Sequence, residues 1–232
     1  MLCSRCSEVV RPIVAVDIDG TLGDYHSHFL DFAGEYLGCH IGSEFSGTFF
    51  KAMADESSCF SETPFKDWFR TETLIEEATW KDLKLAYRQG ARKRTMPVYP
   101  DAALLTDMIR SAGAELWLTT TRPYLRLDNV DPDTRVWLER AKIEYDGLLY
   151  DEDKYRKLAE MIDPDRVVAV IDDLPEQLRA AQTAFGFEEV AVLRRTMWNR
   201  GVSWDAIEGE SLYPIGRLCL ERINNWKEAH HA

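Results

Sequence analysis

Ile13-Val14-Ala15-Val16 runs directly into Asp17-Ile18-Asp19-Gly20-Thr21-Leu22, and this junction constrains the chain more than any other stretch. Four small or β-forming apolar residues read as a buried strand, and the strand delivers two carboxylates onto a turn that Gly20 permits. A buried parallel strand has no use for two aspartates at its C-terminal end unless a cation or a reaction neutralises them, because unpaired buried charge is costly. An Asp-rich turn that merely caps a strand shares the same four letters. Its position behind this strand, with the partners described below, favours the chemical reading.

The 232 residues, 45% of them hydrophobic, suffice for one sizeable core plus an insertion, or for two small domains. Forty acidic against 28 basic residues give a net charge of −12, which argues against gripping long duplex nucleic acid through its phosphates. A single phosphorylated small molecule or a strand end stays compatible with it. No run approaches the roughly 18 apolar residues of a membrane span, and Met1 to Pro12 lacks the apolar block of a signal peptide. The expectation is a soluble, cytoplasmic protein with no membrane partner. Cys3, Cys6, Cys39, Cys59 and Cys219 are odd in number and scattered, so they describe no disulfide framework. Cys3-x-x-Cys6 is half a zinc site without a second half, and reads as part of an N-terminal tail.

Along the chain, Tyr25 to Leu37 has a helical apolar rhythm closed by Gly38. An irregular stretch with Phe45, Phe49, Phe50 and Phe60 follows, then a short helix from Pro64 to Arg70 with Phe65, Trp68 and Phe69. Thr73 and Glu76 have capping-box spacing for a helix reaching about Gln89. Residues 24–96 thus read as a helical insertion within a core made of 1–23 and 97–232. Arg92-Lys93-Arg94 ends it, read either as a solvated loop or as a phosphate-facing one.

Beyond Pro97 and Pro100, Asp101 caps a helix through Ile109. Ala114 to Leu118 is a strand stopping at Thr119-Thr120-Thr121-Arg122-Pro123. A helix starts near Asp131-Pro132, Leu148 to Tyr150 is a short strand, and Asp151 to Ile162 is a helix carrying Lys154. Val167 to Ile171 is a strand ending in Asp172-Asp173, Pro175 to Gly186 brackets a helix, and Val190 to Leu193 is the last core strand. Leu212 to Trp226 is an amphipathic helix, for which core packing and a homodimer contact both stand open. Strands alternating with helices predict an α/β fold, a doubly wound, three-layer Rossmann-like parallel sheet. Ligands in such sheets bind beyond the carboxyl ends of the strands. Three strands here place polar groups at those ends.

Four carboxylates on one point require a hard cation, and oxygen-only ligands favour Mg2+, which completes its shell with substrate phosphate. A carboxylate so placed attacks phosphorus, a second moves the proton of the leaving alcohol, and a Lys and a Thr hydroxyl hold the phosphoryl oxygens.

Asp17-Ile18-Asp19-Gly20-Thr21-Leu22 resembles the first motif of the haloacid dehalogenase (HAD) superfamily of phosphotransferases. Thr120 in Thr-x-Arg-Pro resembles the second motif, Lys154 the third and Ile171-Asp172-Asp173 the fourth, in the family's order over residues 12–195. The resemblance implies that Asp17 is nucleophile and metal ligand, and that Asp19 is the acid/base, binding metal through its carbonyl. It implies that Thr120 and Lys154 orient the phosphoryl group, and that Asp173 ligates metal directly with Asp172 in support. Thr119 competes with Thr120 for the second motif, and Gly20 and Thr121 flank the phosphate. Arg122 either contacts substrate phosphate or pairs with an acidic residue of the site.

The insertion matches in position a helical, C1-type cap that encloses small substrates. Its aromatic residues, with Phe29, Phe49 and Trp68 as candidates, would stack on a nucleobase. Asp24, Tyr25 and Phe29, Tyr99-Pro100-Asp101-Ala102, and Asp151 to Lys154 look most like the 5'(3')-deoxyribonucleotidases. Thr-Thr-Thr-Arg-Pro with Trp137-Leu138-Glu139-Arg140 is closer to polynucleotide 3'-phosphatases. The expectation is a magnesium-dependent phosphomonoesterase for a (deoxy)nucleoside monophosphate, with strand-end 3'-phosphates or sugar phosphates as alternatives. An idle phosphate-binding protein on the same fold is the remote one.

Overall fold

In the computed structural model, the residues described are 10–37, 70, 76–123, 126–199 and 203–231. Phe49, Trp68, the other aromatics of 45–69, Thr73, and Cys3, Cys6, Cys39 and Cys59 lie outside them. The apolar run after Pro12 forms β1 (Ile13–Asp17), buried at every position, as expected of a strand covered on both faces. It is followed by α1 (Tyr25–Leu37), α2 (Glu77–Gln89), a 3-10 turn at Arg92–Thr95 and α3 (Ala102–Ser111). The remaining elements are β2 (Glu115–Thr120), α4 (Val130–Arg140), β3 (Gly147–Tyr150), α5 (Lys154–Met161), β4 (Val167–Asp172), α6 (Pro175–Phe185), β5 (Ala191–Arg194), β6 (Ile207–Gly209) and α7 (Leu212–His231).

All six strands are parallel, in the order β3-β2-β1-β4-β5-β6. β1 is therefore central, with Asp17 level with Thr119 on β2 and Val16 level with Ile171 on β4. Alternation of side chains along each strand divides the core. Val14, Val16, Leu116 and Leu118 pack with α3, α4 and α7, while Ile13, Ala15, Val170 and Leu193 pack with α5 and α6. A third cluster, Phe29, Phe32, Ala33, Trp80, Leu83 and Tyr87, joins α1 to α2.

Several local expectations shift. Asp101 precedes α3 in a left-handed conformation (φ +64°), and its carboxylate makes no cap hydrogen bond. Helix α4 begins at Val130, so Asp131 lies inside the first turn, where it accepts from Arg135 and from the Tyr150 hydroxyl. Glu76 stands at the N-cap position of α2 rather than in its first turn. Lys154 is the first residue of α5, not a mid-helix one. The sheet also gains β6, a three-residue edge strand too short to carry a pattern. Leu212, Ile215, Cys219, Ile223 and Trp226 of α7 are buried in the main cluster, which makes this helix core.

Candidate functional site

Because β1 ends in mid-sheet, Asp17 is carried into a crowded, dry corner and is 5% exposed. Lys154, fixed at the start of α5 and 1% exposed, donates to Asp17 Oδ1 and lies 2.7 Å from Asp172 Oδ2. The Tyr155 hydroxyl also donates to Asp172 Oδ2, at 2.6 Å, and the amide of Leu174 to Asp172 Oδ1, at 2.9 Å. Burial pushes the Asp17 carboxyl up to about 7, against the pull of Lys154 and with help from the charges of Asp172 and Asp19. Burial opposes the charge on Lys154, but its two carboxylate partners hold it well above the usual lysine value.

Asp173 completes a triangle with Asp17 and Asp172, one oxygen of each lying within 4.8 Å of the others. Both oxygens of Asp172 are occupied by Lys154, Tyr155 and a backbone amide, whereas Asp173 Oδ1 is buried without a hydrogen-bond partner. Burial, with Asp172 and Asp17 adding to it, drives the Asp173 carboxyl well above its ordinary value. An all-oxygen donor set with an unfilled buried oxygen fits a hard divalent cation. Gly20 makes the approach of the turn possible: its φ is +93°, and a Cβ there would collide with the Asp173 carboxylate.

Asp19 is engaged separately. Arg122 grips it with two nitrogens, Nε at 3.0 Å from Oδ2 and Nη2 at 2.5 Å from Oδ1, and braces Nη1 on the Thr134 hydroxyl at 2.7 Å. Lys93 Nζ lies 2.5 Å from Asp19 Oδ2. Burial alone would raise the Asp19 carboxyl, but Arg122 and Lys93 outweigh it and hold Asp19 far below the usual carboxylate range. Between the two alternatives left by the sequence, Arg122 takes the acidic partner.

Lys93 is the site residue that the sequence concealed. A 3-10 turn steps about 120° per residue, so the basic triplet splays three ways: Arg92 to Glu35, Lys93 inward to Asp19 and Arg94 to Asp133. The signal was the placement of three cations directly ahead of Pro97, but only the turn says which one faces in.

The three threonines are sorted by sheet register. Thr119 is level with Asp17, and its buried Oγ1 has no hydrogen-bond partner. Thr120, next along the strand, turns to the opposite face, where its Oγ1 accepts the amide of Arg122 at 3.3 Å. Thr121 lies on the wall of a cavity of about 200 Å³ above Asp17 and Asp19. Tyr25, His26, Lys84, Tyr87 and Arg88 line the side facing α1 and α2. Phe29, expected to face the substrate, is instead fully buried between Tyr25, Trp80 and Tyr87 with ring centroids at 5.7, 5.3 and 5.2 Å.

His26 stacks on Trp198 with ring centroids 5.1 Å apart, and burial, then Lys84, pushes its imidazole down to about 3. The unfolded chain binds this proton near pH 6.5 and the folded one does not. Stability therefore falls as pH drops from 6.5 toward 3. Urea titrations across that window should show His26→Phe losing less stability than the parent, by on the order of 2–3 kcal/mol near pH 4. Superimposable acid limbs would refute the burial argument.

No protein-family model matches the chain, and no curated protein matches it by sequence. Solved structures do match. A candidate phosphatase from Clostridium difficile aligns with a TM-score of 0.60 at 16% identity, over 90% of this chain and 98% of that one. YfnB, a candidate HAD-hydrolase from Bacillus subtilis bound to magnesium, gives 0.57 at 12% identity, over 90% and 99%. An L-2-haloacid dehalogenase from Xanthobacter autotrophicus gives 0.51 at 15%, over 90% and 98%. The sheet order, the crossing helices and these alignments agree that the chain has the Rossmann-like fold of the HAD hydrolases.

Proposed function

We propose that the protein is a magnesium-dependent phosphomonoesterase that works through an aspartyl-phosphate, with a nucleoside monophosphate as the substrate class. The observation that carries the reading is the partnerless buried oxygen of Asp173 beside Asp17 and its lysine. Displacing a halide at carbon calls for one carboxylate, whereas three converging carboxylates call for a cation and a substrate that shares it. Asp17, Asp173 and the backbone carbonyl of Asp19 would hold Mg2+, with Asp172 supporting. When bound, the ion neutralises charge at the phosphoryl oxygens.

Asp17 attacks phosphorus, the ester P–O bond breaks, and the alcohol leaves with a proton from Asp19. Water then attacks the aspartyl-phosphate, gives its proton to Asp19 and releases inorganic phosphate. Lys154 and Thr119 hold the equatorial oxygens; Thr119 takes this role over Thr120 because its hydroxyl shares the Asp17 side and is uncommitted. Asp19 is anionic while Arg122 and Lys93 grip it, which suits it to the second step. For the first step it must carry a proton, and an incoming phosphate offers both cations another anion. Helices α1 and α2 act as the cap, with Tyr25, His26 and Tyr87 facing the base.

A sugar phosphate is the second reading, favoured by the cavity volume of about 200 Å³, below the roughly 300 Å³ at which pockets for larger ligands begin. Phosphate release from nucleoside monophosphates, sugar phosphates and 3'-phosphorylated oligonucleotides tests the proposal. A chelator should abolish release and added Mg2+ restore it. Release that is indifferent to the chelator removes the metal, and preference for the oligonucleotide removes the small-substrate assignment.

A further inference from the structure

Among the described residues five cations line the cavity, and three of them already face carboxylates. Lys154 holds Asp17 and Asp172, while Arg122 and Lys93 share Asp19. The other two, Lys84 and Arg88, stand one helical turn apart on α2, on the same side of the helix. Neither has an ion pair among the described residues. Lys84 donates to the Tyr25 hydroxyl and lies over the rings of Tyr25 and Phe29, at 4.6 and 5.0 Å from their centroids. Lys93 lies 4.1 Å from the same Tyr25 ring, so two ammonium groups crowd one aromatic residue.

Three features make this a site rather than a solvated face. The chain carries a net charge of −12, so carboxylates were available to pair these cations, and among the described residues none does; Asp133, also on the cavity wall, pairs with Arg94. Burial, then the neighbouring Arg88, pulls the Lys84 ammonium down to about 7, the signature of a cation short of an anion. The aromatic cradle fixes Lys84 in place, so little side-chain entropy remains to be lost on binding. The phosphoryl group attacked by Asp17 is served by Lys154, which stands on α5 against Asp17, whereas Lys84 and Arg88 stand on α2. The anion that Lys84 and Arg88 await therefore belongs to the leaving half of the substrate.

We infer that Lys84 and Arg88 form a second phosphate subsite, so that the preferred substrate is a phosphomonoester whose leaving alcohol carries a second phosphate. This rests on the phosphatase reading and deepens it. A nucleoside bisphosphate and a sugar bisphosphate both offer that chemistry; in either, Lys84 and Arg88 hold the retained phosphate while Asp17 attacks the other.

The test compares kcat/KM for a nucleoside 3',5'-bisphosphate against the 5'- and 3'-monophosphates of the same nucleoside, and for a hexose bisphosphate against its monophosphates. The parent protein should favour one bisphosphate by ten-fold or more, and the favoured pair identifies the source. Lys84→Met and Arg88→Gln should each bring that ratio toward one, chiefly by raising KM for the bisphosphate. Because Lys84 is a half-buried cation with no ion pair among the described residues, Lys84→Met should melt no lower than the parent at pH 7, which separates a lost subsite from a lost fold. Calorimetry on the Asp17→Asn protein asks the same question without turnover, as tighter binding of the bisphosphate. Equal kcat/KM or equal affinity for bisphosphate and monophosphate overturns the subsite and leaves the phosphatase standing. No phosphate release from any ester overturns the phosphatase reading, and binding to the Asp17→Asn protein then decides the subsite.

Discussion

Asp17→Asn should lower kcat for phosphate release by about 10⁴-fold or more while leaving the protein folded. The amide keeps the shape of the carboxylate but is no nucleophile toward phosphorus, so the covalent step is lost outright. The fold should tolerate the change because Asp17 sits in a place that resists its charge: burial and the neighbouring Asp172 and Asp19 push its carboxyl up to about 7. An uncharged amide removes that repulsion. Lys154 loses one of two carboxylate partners but keeps Asp172 at 2.7 Å. These changes oppose each other, and the unfolding free energy should stay within about 1 kcal/mol of the parent. The check is a pair of measurements on one preparation, phosphate release at saturating substrate and urea unfolding. Turnover surviving in a folded Asp17→Asn protein would defeat the mechanism.

What the sequence made legible follows from what fixes each residue. Asp17, Asp19, Asp172 and Asp173 were readable because a parallel strand tells where its own C-terminal end lies, and the sheet then brings three such ends together. Lys154 was readable only through its place in the order of motifs. Local spacing put it inside a helix, whereas it begins one, and that position aims its side chain at β1 and β4. Which of Thr119 and Thr120 shares the Asp17 side is set by the sheet register, since neighbours on a strand face opposite ways and adjacent threonines look identical in the chain. Lys93, Lys84 and Arg88 were illegible for another reason. Which side of a helix or tight turn meets the cavity is decided by how α2 and the 3-10 turn pack on α1 and α4. The same packing hid Phe29, whose helical spacing marks it equally well for the core or for the cavity, and the core took it.

Lys154→Met should have the largest effect on stability, because it removes the cation from a buried cluster of carboxylates. Among the described residues Lys154 is the single cation in direct contact with both Asp17 and Asp172, and it is itself 1% exposed. Methionine fills much of the same volume, so the change isolates the charge. Leaving buried carboxylates uncompensated costs about 3–5 kcal/mol. The pH dependence gives the cause away. Without the lysine, the carboxyls in the folded state are raised further above their unfolded values, so the folded state binds protons that the unfolded state does not. Asp17 is pushed up to about 7 even with the lysine in place, so without it the deficit should be fullest near pH 9 and shrink as pH falls toward 7. Mg2+ should recover part of it at pH 7, since a divalent ion beside Asp173 supplies positive charge to the same oxygens. A packing defect would respond to neither proton nor metal. Urea unfolding at pH 9 and pH 7, with and without Mg2+, therefore separates the electrostatic account from a steric one, and a deficit equal under all four conditions would refute it.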